Sequence, residues 1–394
     1  MNYILFDNFR RNYMLPLSFT RPVADFRIGI LTIREKWEKY LDSKTSSLTE
    51  DYLSEKYPIV KGDDNILING SISPNPELAR QVSRLKPKEA LISDTIIIAL
   101  HVEADDLEKV GEGDTEGIRE VMTDVKYIKL NNTWDIFARN AAAIEEDFAL
   151  LTKGRKSQKI SDTNKITAAE NIFIEEGAVV EHAIINASEG PVYIGRDAHI
   201  MEGCMLRGPV AICNNATLKM GAKIYGGTTI GPYSKIGGEV NNSVFFGYSN
   251  KAHDGFIGNS VIGEWCNMGA GTNNSNLKNT YDNVRLWSYP DQTFVDTDKQ
   301  FCGLIMGDHT KCGINTMFNT GTVIGINVNI YGPGFQRNFV PSFSWGGTSG
   351  FTHYDLDKAI EVAEIVYGRR KLAFTKTDEK ILQEVYRITF KHKK

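Results

Sequence analysis

Only five cysteines occur in this chain, Cys204, Cys213, Cys266, Cys302 and Cys312, and no two of them form a CxxC pair. An odd set of that kind, confined to one region, speaks against a disulfide framework and for reduced, mostly buried thiols. No apolar run approaches the roughly 20 residues that a membrane helix needs, so a membrane is excluded as a partner by this reading. No basic stripe is present and the net charge is -4, which argues against nucleic acid and against an anionic bilayer. No signal peptide opens the sequence, and a cytoplasmic protein is expected. With 41% hydrophobic and 24% charged residues among 394, the chain has ample core for two or three globular domains of roughly 150 residues each.

Against these absences stands one strong regularity. Ile194, Ile200, Leu206, Ile212, Leu218, Ile224, Ile230 and Ile236 follow one another at intervals of six residues, and Met306, Cys312, Phe318, Ile324 and Ile330 resume the same step. A period of six matches neither the 3.6 of a helix nor the two of a single strand. It fits a hexapeptide-repeat parallel β-helix, left-handed in that class, with one aliphatic side chain per hexad pointing inward. Glycine follows several of these positions, as in Ile230-Gly231 and Ile324-Gly325. Such a glycine suits a tight corner where a side chain would clash or φ must be positive.

The expected organisation is an α/β domain over 1–152, a linker over 153–168, a β-helix over 169–340 and a helical tail over 350–394. In the first domain, short apolar strands are expected at Tyr3–Phe6, Ile66–Ile68, Thr95–Leu100 and Val125–Leu130. Ile30, Ile33, Trp37 and Tyr40 mark an amphipathic helix. A second helix is expected to start at Asn132-Thr133 and to run through Asp147. The hexad register fails at Glu239–Phe256 and again at Leu277–Gly303, the latter long enough for an excursion loop. The tail is expected to cap the open end of the solenoid.

His253 lies where the register fails, among glycines that expose backbone N–H groups. An imidazole there can take a proton from an attacking amine or hydroxyl, and free N–H groups can stabilise an oxyanion. A surface histidine on a loop is the alternative that the residues alone leave open.

Lys251-Ala252-His253, then Ile257-Gly258, Ile262-Gly263 and Asn267-Met268-Gly269-Ala270-Gly271-Thr272, resemble the acetyltransferase half of the bifunctional glucosamine-1-phosphate N-acetyltransferase / N-acetylglucosamine-1-phosphate uridylyltransferase family. The resemblance implies that His253 is the general base, that Asn267 contacts the sugar phosphate and that Asn276 lies near acetyl-CoA. It also implies a homotrimer with the cofactor between neighbouring prisms. Main-chain groups around Gly313, Thr316, Gly321 and Gly325 would then line the pantetheine channel, the alternative for these glycines being corner geometry, and Gly271 is a further cofactor-binding candidate. Three departures stand out. Phe256 replaces an aromatic hydroxyl, Asn242 stands where the family has a basic residue, and the N-Y-D-G string reads Asn276-Leu277-Lys278-Asn279. Phosphate contacts usually come from Lys or Arg, so Lys235, Lys251 and Lys278 are the candidates, solvated lysines being the alternative.

The first domain resembles a short, divergent form of the family's sugar nucleotidyltransferase half. Leu17-Ser18-Phe19-Thr20-Arg21 keeps the Thr and Arg of the phosphate loop without its glycines, and Arg27 stands in for the following lysine. Thr20, Arg21 and Arg27 are the nucleotide-binding candidates. If uridylyl transfer occurs, Mg²⁺ would accompany UTP, with metal ligands unassigned, since Asn69-Gly70-Ser71 offers no carboxylate where the family has one.

The resulting expectation is an acetyl-CoA-dependent N-acetyltransferase of an amino-sugar 1-phosphate, with glucosamine 1-phosphate as the first candidate, joined to a domain that forms the UDP-sugar. Two alternatives are a nucleotidyltransferase whose β-helix only trimerises or regulates, and a non-catalytic binding trimer. A hexapeptide carbonic anhydrase fits poorly, because His182, His199 and His309 lie on separate coils and no close histidine accompanies His253.

Overall fold

The structure, a computed structural model, describes residues 1–104 and 116–390. Its contacts divide the chain into two units. The first comprises Met1–Met14, Arg21–Phe26 and Leu31–Asn131, and the second Leu15–Thr20, Arg27–Ile30 and the chain from Asn132 onward. This division differs from the expected boundary at 152. The helix that starts after Asn132 belongs with the β-helix, and so do two short pieces from the first thirty residues.

The first unit is built on a mixed six-stranded sheet. Its strands are β1 (Asn2–Phe6), β2 (Thr45–Leu48), β3 (Asp64–Asn69), β4 (Glu89–Ser93), β5 (Ile96–Glu103) and β6 (Arg119–Met122), in the order β2-β1-β3-β5-β4-β6. β1 runs parallel to β2 and β3, and β5 runs antiparallel to β3 and β4. Central strands buried on both faces read as continuous apolar runs, which is why two of the four expected strands fall inside β1 and β3 and a third overlaps β5 from Ile96 to Leu100. The fourth shrinks to Ile128–Lys129, paired antiparallel with Ile72–Ser73. Helix α1 (Ile33–Leu41) begins at Ile33 because Thr32 and Glu35 form a reciprocal capping box there. Its Ile33 and Trp37 are fully buried. Helix α2 (Pro76–Val82) carries proline in its first turn and Asn75 as its cap.

The second unit contains the parallel β-helix expected from the hexad period. Three sheets wind around one core. One has nine strands from Ile172–Ile174 to Phe339–Val340, and one has ten from Val179–Val180 to Gly350–His353. The third has six strands from Lys165–Thr167 to Phe256–Gly258 and continues as the pair Asn273–Asn274 with Met317–Phe318. Every member of the two hexad runs joins one apolar cluster. The segment expected as a linker is therefore partly first coil: Lys165–Thr167 pairs with Ile184–Asn186, and Gln158 donates to the Ile174 carbonyl.

The corner glycines are required by contact and not by φ. A Cβ on Gly231 would stand 2.1 Å from the Phe246 carbonyl oxygen, and one on Gly325 would stand 2.4 Å from the Ser342 nitrogen. Positive φ falls two residues later, in a column at one corner: Asp197, Asn215, Tyr233, Tyr248, Trp265, His309, Asn327 and Phe343. Aromatic residues rarely adopt that conformation. Here their rings stack from coil to coil, Tyr233 on Tyr248 at 5.0 Å and Tyr248 on Trp265 at 4.3 Å.

Helix α3 (Thr133–Thr152) lies on the nine-stranded face, anchored by a buried polar knot. Asn140 Nδ2 donates to the Gly227 carbonyl and to Thr229 Oγ1, while Asn140 Oδ1 and Asp147 Oδ2 accept from the amides of Gly29 and Ile30. The tail forms α4 (Leu356–Gly368) and α5 (Lys376–Thr389). It does more than cap the end. Tyr367, at the end of α4, stacks on Trp265 at 4.1 Å, and Arg370 Nη2 donates to Asn250 Oδ1 at 3.3 Å. The tail thus runs back along the flank. At the end of the solenoid, Ser344–Gly347 folds into an antiparallel hairpin with Gly350–His353, and Phe351 packs on the core.

Candidate functional site

The break around His253 consists of shortened corners, and the coil itself continues through it. The inward positions run Ile236, Val240, Phe245, Lys251, Ile257, Ile262 and Met268. One side of a coil, six residues in the regular hexads, takes four between Ile236 and Val240 and five between Val240 and Phe245 and again between Ile257 and Ile262. A lysine occupies the inward slot opposite Ile236.

That lysine is 1% exposed. Its Nζ donates to the Gly237 carbonyl and to the His253 carbonyl, each at 2.9 Å. The shortened Gly237-Gly238 corner leaves room for the ammonium; a Cβ on Gly238 would meet Nζ at 2.8 Å. Burial pushes the Lys251 pKa down to about 8, and nearby Asp254 opposes the shift. Reading Lys251 as a phosphate contact is therefore corrected. The residue sits inside the prism with its donors directed at main-chain oxygens, and its product is a fixed corner that presents His253 outward. His253 is exposed, and among the described residues its ring has no hydrogen-bond partner.

Asparagines take over from the backbone ladder beside this corner. Asn273 Oδ1 accepts from the Phe256 amide and Asn274 Oδ1 from the Gly258 amide, both at 2.8 Å. Asn274 fills an inward slot paired with Phe318 and also donates to the Gly258 carbonyl at 3.1 Å. Asn276 Nδ2 reaches Asn259 Oδ1 at 2.8 Å. These side chains bridge the place where the third sheet is interrupted before the excursion. Gly271 joins the His253 corner through its amide, which donates to the Asp254 carbonyl at 3.0 Å.

Asn267 and Lys235 lie on a different surface. In the ten-stranded sheet Lys235 pairs with Asn250, Asn250 with Asn267, and Asn267 with Lys311. No hydrogen bond joins His253 to Asn267 or to Asn276 among the described residues. The tail adds Arg370 to this column through Asn250. Burial lowers the Lys235 pKa, and Arg370, Lys219 and Arg369 lower it further. Sequence reasoning missed this basic cluster, because the tail lies more than a hundred residues from the strands it covers.

The proposed channel residues divide. Thr316 is fully buried, and its hydroxyl closes its own corner on the Gly313 carbonyl at 2.9 Å, so it does not line a channel. Gly271 has a φ of +68° and its Cβ position is filled by Asn315 Oδ1, which is corner geometry. Gly313 has ordinary space beside Tyr331.

The nucleotide-binding candidates are also committed elsewhere. Thr20 is buried in the second unit and its hydroxyl donates to Asp308 Oδ2 at 2.6 Å. Arg27 is buried there too, donating from Nε to the Phe246 carbonyl at 3.1 Å and from Nη1 to the Ile30 carbonyl. Arg21 belongs to the first unit, is 5% exposed, and its carbonyl accepts from Arg11 Nη1. Burial is the physical reason: the Thr20 hydroxyl and the Arg27 guanidinium are turned into the second unit and bonded to protein oxygens there. The expectation for Thr20 and Arg27 is corrected accordingly. Among the described residues no group of three or more His, Cys, Asp or Glu is placed to hold a metal ion, and no side chain is assigned to Mg²⁺.

Comparison with known proteins finds likenesses in both parts of the chain. Residues 3–156 match the family described as Sugar nucleotidyl transferase. The protein named Bifunctional protein GlmU of Methanocaldococcus jannaschii is 27% identical over 340 residues, covering 83% of this chain and 73% of that protein. The Bifunctional protein GlmU of Methanococcus aeolicus is 27% identical over 250 residues, 62% of this chain and 51% of that one. A Bifunctional sugar-1-phosphate nucleotidylyltransferase/acetyltransferase of Sulfurisphaera tokodaii is 30% identical over 185 residues, 46% of this chain and 45% of that one. The chain thus spans about half the length of two of these three relatives. It is similar to bifunctional sugar nucleotidyltransferase/acetyltransferases, with the nucleotidyl transferase match over its first domain and the β-helix after it.

Proposed function

We propose that the β-helix transfers the acetyl group of acetyl-CoA to the amine of an amino-sugar 1-phosphate, glucosamine 1-phosphate being the substrate to try first. In this reading His253 takes the proton from the amine as the nitrogen attacks the thioester carbonyl, and the CoA thiol leaves. Asn276 and Gly271 flank the corner on the cofactor side, and Asn267 and Lys235 are kept as sugar-phosphate contacts. Lys278, the third candidate, lies on the excursion with its ammonium on the Asn283 carbonyl and is not assigned to this anion. The N-terminal domain would then join the product to a uridylyl group from Mg²⁺-UTP.

The observation that carries the reading is the bond from buried Lys251 to the His253 carbonyl. A loose surface loop has no use for a buried ammonium, whereas a general base needs a fixed backbone. Among the described residues the imidazole has no hydrogen-bonded orienting group, which supports assembly as a homotrimer with the site completed by a neighbouring copy.

The test is release of free thiol from acetyl-CoA by the full chain with glucosamine 1-phosphate. General base catalysis is worth about 10²–10⁴ in rate, so His253→Ala should lower kcat by that factor. An unchanged kcat would overturn the assignment of His253.

A further inference from the structure

The excursion after Asn276 builds a second concave surface. Its two strands, Arg285–Ser288 and Thr293–Asp296, form an antiparallel hairpin. Between this hairpin and the late coils lies a cleft of about 630 Å³, lined by Lys278, Arg285 and Arg337 and by the rings of Trp287, Phe294 and Phe339. No carboxylate is among its lining residues. Lys278 Nζ donates to the Asn283 carbonyl at 2.5 Å and Arg285 Nη2 to the Phe294 carbonyl, so both cations are held in place by neutral oxygens. Asp296 is the cross-strand neighbour of Arg285, yet no ion pair joins them or engages Lys278 or Arg337 among the described residues. The apolar wall is rigid: Trp287 stacks on Phe339 at 4.4 Å and 13°, with Phe294 edge-on at 5.4 Å.

Three cations on one cleft without a counter-charge favour a polyanion, and Arg and Lys are the usual phosphate partners. The ring wall adds preference for a flat base. The volume lies within the range of small-molecule sites, about 300–1,000 Å³.

We propose that this cleft binds a nucleotide carrying at least two phosphate groups, the phosphates on Lys278, Arg285 and Arg337 and the base against the wall of rings. Two ligands share that chemistry, the adenosine 3′,5′-bisphosphate end of CoA and a uridine diphosphate end of a sugar nucleotide. The site does not depend on the role given to His253.

Calorimetry on the full chain distinguishes the sources, with adenosine 3′,5′-bisphosphate, UDP and inorganic pyrophosphate as separate probes. At least one nucleotide should bind more tightly than pyrophosphate. Arg337→Glu, a surface change, should weaken it tenfold or more, and Phe294→Ala should weaken the nucleotide and leave pyrophosphate unchanged. Preference for the adenosine compound assigns the donor end of CoA, and preference for UDP assigns a sugar nucleotide. His253→Ala should bind like the parent, so loss of acetyl transfer with binding intact leaves this site standing. Failure of both nucleotides to bind at millimolar concentration, equal binding of pyrophosphate, or an Arg337→Glu variant that binds normally would each overturn the proposal.

Discussion

From inside the prism, the ammonium of Lys251 holds the main-chain carbonyl of His253 at 2.9 Å. The bond couples a buried charge to an exposed imidazole two residues away, and with His253 as the proposed base it makes stability and activity depend on the same side chain. With its pKa lowered by burial to about 8, Lys251 is charged in both folded and unfolded chains below that pH. Folding there includes the full cost of burying the charge. Between about 8 and the unfolded value near 10.4 the unfolded chain binds more protons, so stability rises with pH. The rise is on the order of 3 kcal/mol. Denaturant midpoints measured from pH 7 to 10.5 should show it in the parent and lack it in Lys251→Met. Equal slopes in the two proteins would contradict the burial argument.

Activity should follow the same substitution. Methionine fills the slot but cannot hold the two carbonyls, so the His253 corner loosens. Misplacing a catalytic group by about 1 Å costs on the order of 100-fold. Lys251→Met should therefore lower kcat for acetyl transfer by about 10–100-fold while KM for acetyl-CoA changes little. A change confined to KM would point to a binding role for Lys251.

Asn274 offers a third test. It occupies a core slot for its hydrogen bonds, not for its hydrophobicity, accepting from the Gly258 amide and donating to the Gly258 carbonyl. Asn274→Leu restores the aliphatic hexad yet strands the Gly258 amide, at a cost of about 1–3 kcal/mol, while the Gly258 carbonyl keeps Ser260 Oγ at 2.8 Å. The leucine variant should therefore be less stable than the parent by urea denaturation. A more stable variant would show that water or relaxation replaces the asparagine.

These two slots explain how much of the molecule was legible in the sequence. The hexads were visible because aliphatic residues repeat where coils are regular, and those positions are the core. Lys251 and Asn274 were invisible as core residues because polarity hides them from a hydrophobic pattern. Counting through the gap would have found the lysine, which lies six residues from both Phe245 and Ile257. The corner at His253 was located by the loss of register, but its cause, a coil shortened at Gly237-Gly238, needs the coordinates. Local pattern also could not show that Thr20 and Arg27 turn away from nucleotide chemistry, since their partners Asp308 and Phe246 lie more than two hundred residues away.

The docking of the tail rests on Tyr367, which stacks on Trp265 at 4.1 Å and lies 6.1 Å from His309. Such stacking is worth about 0.5–1.5 kcal/mol beyond the buried area. Tyr367→Ala should release the segment that follows α4. Arg369 is already exposed and Arg370 half-buried; on the released segment both can enter a protease cleft, and trypsin should cut there about five to ten times faster in the folded protein. An unchanged cleavage rate would show that α4 is held mainly by its other contacts.

Arg27 separates a structural role from a nucleotide-binding one. Its guanidinium is buried and donates to the carbonyls of Phe246 and Ile30. Removing it takes the guanidinium from both oxygens, the Ile30 carbonyl keeping the weak Cys213 thiol at 3.5 Å, with a cost of about 1–3 kcal/mol for each. Arg27→Ala should lower the thermal midpoint by several degrees. If the N-terminal domain transfers uridylyl groups, the KM for UTP of the variant, measured well below that midpoint by pyrophosphate release, should match the parent's. Replacing Arg27 by lysine keeps the charge but loses the fork that serves two carbonyls at once, so it should recover little stability. A UTP KM raised tenfold in both variants, with the thermal midpoint unchanged, would instead return Arg27 to the phosphate site.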